Sequence, residues 1–150
     1  MNAAIQFQIN VLDDNPRVID ICERFNLAAI CRGPLAMGLL TGKYTGDKRP
    51  PQDDVRGEKS PEWMVYFIEG KPNPAWLEKM EAVGEVLTSG GRTLAQGALA
   101  WLWARSEQTI PIPGFRTASQ VEENCTALQT GPLTENQMQE IDILLNREQQ

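Results

Sequence analysis

Two stretches of this 150-residue chain carry side chains whose types and spacing suit the binding of a phosphorylated ligand. Ile110–Asn124 reads IPIPGFRTASQVEEN: a short apolar strand, a Pro-Gly turn, Arg116, then a helix opening on Thr117 and Ser119. Gly114 lets backbone approach a ligand closely. Arg116 brings a forked cation to the free N–H groups of a helix N-terminus, and Gln120 stands one turn further in. That is a physical recipe for holding a phosphate. Glu123 and Asn124 add groups able to meet an adenine edge or a ribose. The plain alternative is a strand–helix turn with ordinary polar surface residues. Gly33–Tyr44, GPLAMGLLTGKY, is the second stretch. A Gly-punctuated loop after a buried strand can wrap a pyrophosphate through backbone N–H groups, with Thr41 and Lys43 adding side-chain contacts. It lacks the Walker spacing, and a packed surface loop is its plain alternative.

Other groups carry less. Gln6 lies on a strand, where its amide can bond a carboxamide or simply face water. Asp53, Asp54 and Glu58 cluster in a polar, Pro-containing segment and read as solvated charges rather than a metal or acid–base site. Lys43 and Tyr44 have the types of a proton-transfer pair, but neighbours on an extended segment point apart. Histidine is absent, which removes His-based triads, His general acids and the usual zinc sites. Neither a catalytic group nor a metal site is assigned.

The elements that must position these residues follow from periodicity. Ala4–Asn10 alternates as a strand. Asp13-Asp14-Asn15-Pro16 opens a helix with Val18, Ile19, Cys22 and Phe25 on one face, ending near Asn26. Leu27–Cys31 is a continuous apolar run, as in a buried parallel strand. Asp47–Asn73 is a long polar segment, a candidate lid, with Trp63, Tyr66, Phe67 and Ile68 anchoring part of it as a short helix. Pro74–Ser89 is a helix with Leu77, Met80, Val83, Val86 and Leu87 inward, ended by Gly90-Gly91. Thr93 caps Leu94–Arg105, Thr109–Pro113 is a third strand, and Ser119–Leu128 is a helix. Thr134 caps a last helix carrying Met138, Ile141, Leu144 and Leu145, with Gln137 completing a capping box. Strands alternating with helices predict a parallel sheet with helices outside it.

Composition sets bounds. Hydrophobic residues make up 41% and charged residues 23% of the chain, with mean hydropathy -0.36; this reads as one soluble domain over residues 1–150. Net charge is -6 and pI about 4.7, against a nucleic-acid binder, which needs a basic face. No apolar run is long enough to span a bilayer. The opening MNAAIQFQIN has neither the basic region nor the apolar core of a secretory leader. Three cysteines without CxxC spacing suggest reduced thiols. Together these predict a cytoplasmic chain.

GPLAMGLLTGKY at 33–44, RTLAQGALAWLWAR at 92–105 and IPIPGFRTASQVEEN at 110–124 together resemble the aldo-keto reductases, and the match is to their C-terminal part only. The resemblance implies an α/β fold: a partial (β/α)8 TIM-type barrel, three parallel strands with flanking helices, the last three of a barrel that binds extended NADPH across its C-terminal face. By the same resemblance Gln6 contacts the nicotinamide carboxamide. Arg32 stands where many members stack a tyrosine on the nicotinamide, so a planar guanidinium takes the place of a ring. Leu35, Gly38, Thr41 and Lys43 map to the loop over the pyrophosphate. Gly114, Arg116, Gln120, Glu123 and Asn124 map to the end that holds the adenosine and its 2′-phosphate, and a guanidinium there suggests NADP over NAD.

The family's catalytic Asp, Tyr, Lys and His lie in the part this chain does not match. Three readings follow: an NADP(H)-binding partial barrel inactive alone, the C-terminal half of a split or truncated NADPH-dependent carbonyl oxidoreductase, or a non-enzymatic structural or interaction protein. A fragment of an intact gene fits the same sequence. Three strands leave two open sheet edges, so a homo-oligomer, or a missing N-terminal half, is the expected partner.

Overall fold

The structure, a computed structural model, describes residues 3–45 and 48–147. Its main sheet has three parallel strands in the order β1-β2-β5: β1 is Ala4–Gln8, β2 is Ala28–Arg32 and β5 is Thr109–Pro111. Helix α1, Pro16–Phe25, links β1 to β2, with Asn15 accepting from the Val18 amide and Pro16 in the first turn. Between β2 and β5 lie a kinked helical turn (Ala36–Thr41), a small antiparallel pair of strands (β3, Phe67–Ile68; β4, Lys71–Pro72), helix α2 (Pro74–Thr88) and helix α3 (Leu94–Arg105). Helices α4 (Ala118–Thr130) and α5 (Glu135–Leu144) complete the chain. The expected strand–helix order and parallel pairing are both present.

Register decides which face each strand residue shows. Gln6 is level with Ile30, which is level with Ile110; Gln8 is level with Arg32. Side chains alternate along a strand, so the intervening Ala29, Cys31 and Thr109 share the other face. That face is buried, and Thr109 Oγ1 donates to the Leu102 and Ser106 carbonyls of α3 and its cap. The face of Gln6, Arg32 and Ile110 is exposed. Helices therefore cover one side of the sheet and leave the other open.

Helix α3 is the central support: every residue from Ala95 to Leu102 is buried, as expected of a helix apolar all round. Its capping box of Thr93 and Gln96 is formed. At Gly97 a Cβ would stand 2.1 Å from the Leu87 carbonyl oxygen of α2, so the two helices touch backbone to backbone. The Thr134–Gln137 capping box of α5 is formed as expected.

Several boundaries and faces differ from the sequence reading. Strand β1 stops at Gln8, because Asn10 turns back to exchange backbone hydrogen bonds with Asp13. Strand β5 stops at Pro111, since neither Pro111 nor Pro113 has an N–H to give, although the Ile112 amide still reaches the Cys31 carbonyl. Phe25 is exposed rather than inward: the chain reverses at left-handed Asn26 before a neighbour can cover the ring. Leu144, at the end of α5, is also exposed. The long segment holds no helix over 63–68. Tyr66 and Phe67 are buried at the start of a hairpin, while Trp63 and Ile68 face water. Asp47, the expected start of that segment, lies outside the described residues.

Candidate functional site

A pocket opens where β2 and β5 end, the usual place for ligands in parallel α/β sheets. Its volume is about 380 Å³, at the small end of ligand pockets. One wall is the Gly33–Tyr44 loop. The other is the segment from Ile112 to Gln120. Residues 80 positions apart in sequence therefore share one cavity, and seven of the sequence candidates line it: Leu35, Gly38, Thr41, Lys43, Gly114, Arg116 and Gln120.

The first wall is unusual in its backbone. Ala36, Met37 and Gly38 take positive φ values of 47°, 54° and 94° in succession. Two of the three carry side chains, so the run costs energy and persists only where surroundings enforce it. The Thr41 hydroxyl donates to the Gly38 carbonyl and accepts from the Lys43 amide, which closes the loop. Gly38 takes a φ of 94° that favours glycine, and a Cβ there would press on Arg56 Nη1 at 2.9 Å. The second wall is preorganised in a different way. Thr117 caps α4 through the Gln120 amide, and the Gln120 side-chain oxygen accepts from the Arg116 amide at 2.7 Å. Gly114 has open space where a Cβ would be.

A third component comes from residues read as solvated. Asp54 is not a surface charge: its side chain is 3% exposed. Arg56 grips it through Nε at 2.7 Å and Nη2 at 2.8 Å, and Arg116 Nη2 reaches it from across the pocket at 3.0 Å. The Arg56 hydrogen bonds above all hold the Asp54 carboxyl well below the usual carboxylate range. Arg56 also donates to the Met37 carbonyl at 2.9 Å and lies over the Tyr44 ring. Arg116 differs: its side chain is 73% exposed and it makes one ion pair. A bound anion can take the Arg116 guanidinium while Arg56 still neutralises Asp54. Asp53 and Glu58 remain exposed, as read. The Asp54-x-Arg56 spacing and the exposed apolar Phe115 and Val55 at the pocket were the signals available in sequence.

Four candidates lie elsewhere. Gln6 and Arg32 stand on the open sheet face. The Glu123 backbone carbonyl accepts from Gln96 Nε2 of α3, and neither Glu123 nor Asn124 lines the pocket. Both tyrosines are buried. Tyr44 packs edge-on against Phe67, and Lys43 Nζ sits 5.4 Å from its ring centre. Tyr66 is 2% exposed, and burial pushes its hydroxyl up to about 12. Among the described residues no group of three or more potential metal ligands occurs, and no helix is long and apolar enough to cross a membrane.

The model of the Aldo/keto reductase family matches residues 1–146. The chain belongs to that family. It is similar to the aldo-keto reductase yakc [NADP(+)] of Schizosaccharomyces pombe, 31% identical over 75% of this chain and 31% of that protein. A chloroplastic pyridoxal reductase of Arabidopsis thaliana is 29% identical over 92% of this chain and 34% of its own length. An L-glyceraldehyde 3-phosphate reductase of Escherichia coli is 30% identical over 86% and 36%. Among solved structures, a glycerol dehydrogenase of Gluconobacter oxydans superposes with a TM-score of 0.76 at 23% identity, over 96% of this chain and 42% of that one. This aldo/keto reductase chain thus spans about a third of the length of the curated relatives it matches. Its fold is a partial TIM-type barrel.

Proposed function

We propose that this aldo/keto reductase chain binds the phosphate-bearing end of NADP(H), and that alone it performs no carbonyl reduction. The carrying observation is the convergence, in one pocket, of the 33–44 loop, with Met37 and Gly38 in left-handed backbone, and Arg116 beside the first turn of α4. Both suit anionic oxygens: the loop through its Lys43 ammonium, Arg116 through a charge-assisted fork. Arg116, Gln120, Lys43 and Thr41 would hold the phosphates, with Leu35, Gly38 and Gly114 giving close backbone approach. When bound, the cofactor supplies a hydride. Protonating a carbonyl oxygen as hydride arrives needs an acid with a suitably lowered pKa. The sequence has no histidine, and its two tyrosines are packed as described.

The open sheet face favours a second reading, in which the same site is completed in an assembly. Gln6 and Arg32 would contribute to a nicotinamide site only with further strands beside β1 and β5, supplied by a polypeptide carrying the rest of the barrel or, less completely, by a second copy. Titration with NADPH and NADH, followed by quenching of the four tryptophans, tests the first reading. Saturable binding of NADPH that weakens at least tenfold in Arg116→Ala is expected, since charge-assisted bonds are worth about 1.5–3 kcal/mol. No binding at millimolar NADPH would overturn it. Reductase activity that arises only on mixing with an N-terminal half would establish the second.

A further inference from the structure

We propose that Asn10 and Tyr66 are positioning residues for the phosphate pocket: one buried side-chain knot ties both of its supports, the Gly33–Tyr44 loop and the 52–73 segment, to the end of β1. The proposal rests on the pocket's role as a phosphate site for its ligand, but the knot itself is geometric.

Asn10 is fully buried. Its Nδ2 donates to the Gly33 carbonyl at 3.1 Å and to the Tyr66 hydroxyl at 2.9 Å, while its Oδ1 accepts from the Leu12 and Asp13 amides. Two donors and two acceptor sites are thus all used, which is the full capacity of the amide. The Gly33 carbonyl also accepts from the Ala36 amide, so Asn10 fixes the group that closes the turn into the left-handed run. On the other side, the Tyr66 hydroxyl accepts from Gln8 Nε2 at 3.1 Å and donates to Asp13 Oδ2 at 3.4 Å. Tyr66 rests edge-on against Trp76. Its neighbour Phe67 packs on Tyr44, and the Arg56 guanidinium lies over both of those rings. A continuous set of contacts therefore runs from Asn10 through Tyr66 and Phe67 to Arg56, Asp54 and Arg116. A hydroxyl removed at Tyr66 leaves the Asn10 amide short of a partner in a dry site, where such loss costs most.

The test is Tyr66→Phe, which keeps the ring, with Asn10→Ala as a second variant and Trp76→Phe as a packing control. Hydrogen–deuterium exchange is read at residues 33–41 and 52–60, with NADPH dissociation followed by stopped flow. Tyr66→Phe is expected to raise exchange in both stretches, on both sides of the pocket, and to speed NADPH release about fivefold. Trp76→Phe is expected to leave exchange at 33–41 unchanged. Exchange raised only at 10–13 and 66–73, with wild-type release, overturns the proposal. Should the wild-type chain bind no NADPH, the cofactor reading fails by itself. The exchange data still decide the knot: a rise in both stretches supports it, and none in either overturns it. If Tyr66→Phe does not fold, the same comparison is made in Asn10→Ala.

Discussion

The pocket at the ends of β2 and β5 and the open sheet face belong to the same three-stranded sheet and are built to different standards. The pocket is braced by its own chain: Asp54 lies between two arginines, Arg56 is seated over Tyr44, and the 36–38 run is locked by Thr41 and by Arg56 on Met37. On the open face, Gln6 and Arg32 are solvent-exposed, as are Ile110 and Ile112 at 49% and 46%. Among the described residues, the outer edges of β1 and β5 that flank that face are unpaired. On the proposed reading, one end of a cofactor site is self-supporting, while the other depends on strands from elsewhere.

The largest effect that would break this contrast is on the pocket's brace. Arg56→Met leaves a buried carboxylate with the exposed Arg116 as its ionic partner and the residue-56 amide as its other donor. Removing one member of a buried pair typically costs about 3–5 kcal/mol. We expect a loss toward the lower end of that range in urea unfolding. Arg32→Met on the open face should stay within about 0.5 kcal/mol, as surface changes do. Equal losses in the two variants would sink the contrast. The pH dependence follows from the same carboxylate. Its folded pKa is depressed, so its contribution is whole above the unfolded value of about 4 and disappears as pH falls below it. The brace should hold from pH 6 to 8 and loosen under acid. Arg56→Met should lose much of that acid sensitivity.

Next in size is the support under the pocket loop. A methyl group at Gly97 must displace the Leu87 carbonyl from its 2.1 Å approach. Gly97→Ala is therefore expected to cost about 1–3 kcal/mol by overpacking, read as a lowered Tm. Gly84→Ala on α2, where a Cβ would meet nothing within 4 Å, should be neutral or slightly stabilising by helix propensity. A Gly97→Ala protein as stable as the parent would mean that α2 and α3 are less tightly joined than described.

Much of this was legible in sequence, and the reasons for the rest are physical. Periodicity and caps are local, so α1, α3, α5 and the parallel strands could be read from Asn15-Pro16, Thr93, Thr134 and the apolar runs. Both pocket walls were visible as motifs because glycines and a lone arginine stand out against apolar strands. Asp54 could not be read the same way. Its environment is made by Arg56 two residues on and by Arg116 sixty-two residues away, and only the fold brings the second to it. The hairpin at Phe67–Pro72 failed for a related reason. Its strands are two residues each, too short for any alternation to show. Phe25 misled because an apolar residue at helical spacing is inward only where something packs over it.

The smallest effect on folding is the one that sharpens the contrast most. Ile110 lies level with Ile30 and Gln6 on the uncovered face. In the chain by itself, Ile110→Lys should change unfolding free energy by less than about 0.5 kcal/mol, because a side chain already half in water has little burial to lose. In any assembly that covers the face, the same lysine would place an unpaired charge against apolar strands, at a cost of several kcal/mol. Light scattering on both proteins separates the cases. A parent larger than a monomer and a monomeric Ile110→Lys would show that the open face is where copies meet. A monomeric parent would leave the face for a polypeptide bearing the remaining strands, and Ile110→Lys should then abolish the activity regained on mixing with such a partner. A large loss of stability in monomeric Ile110→Lys would mean that the face is already covered within the chain, and the division between a braced pocket and a dependent face would fall.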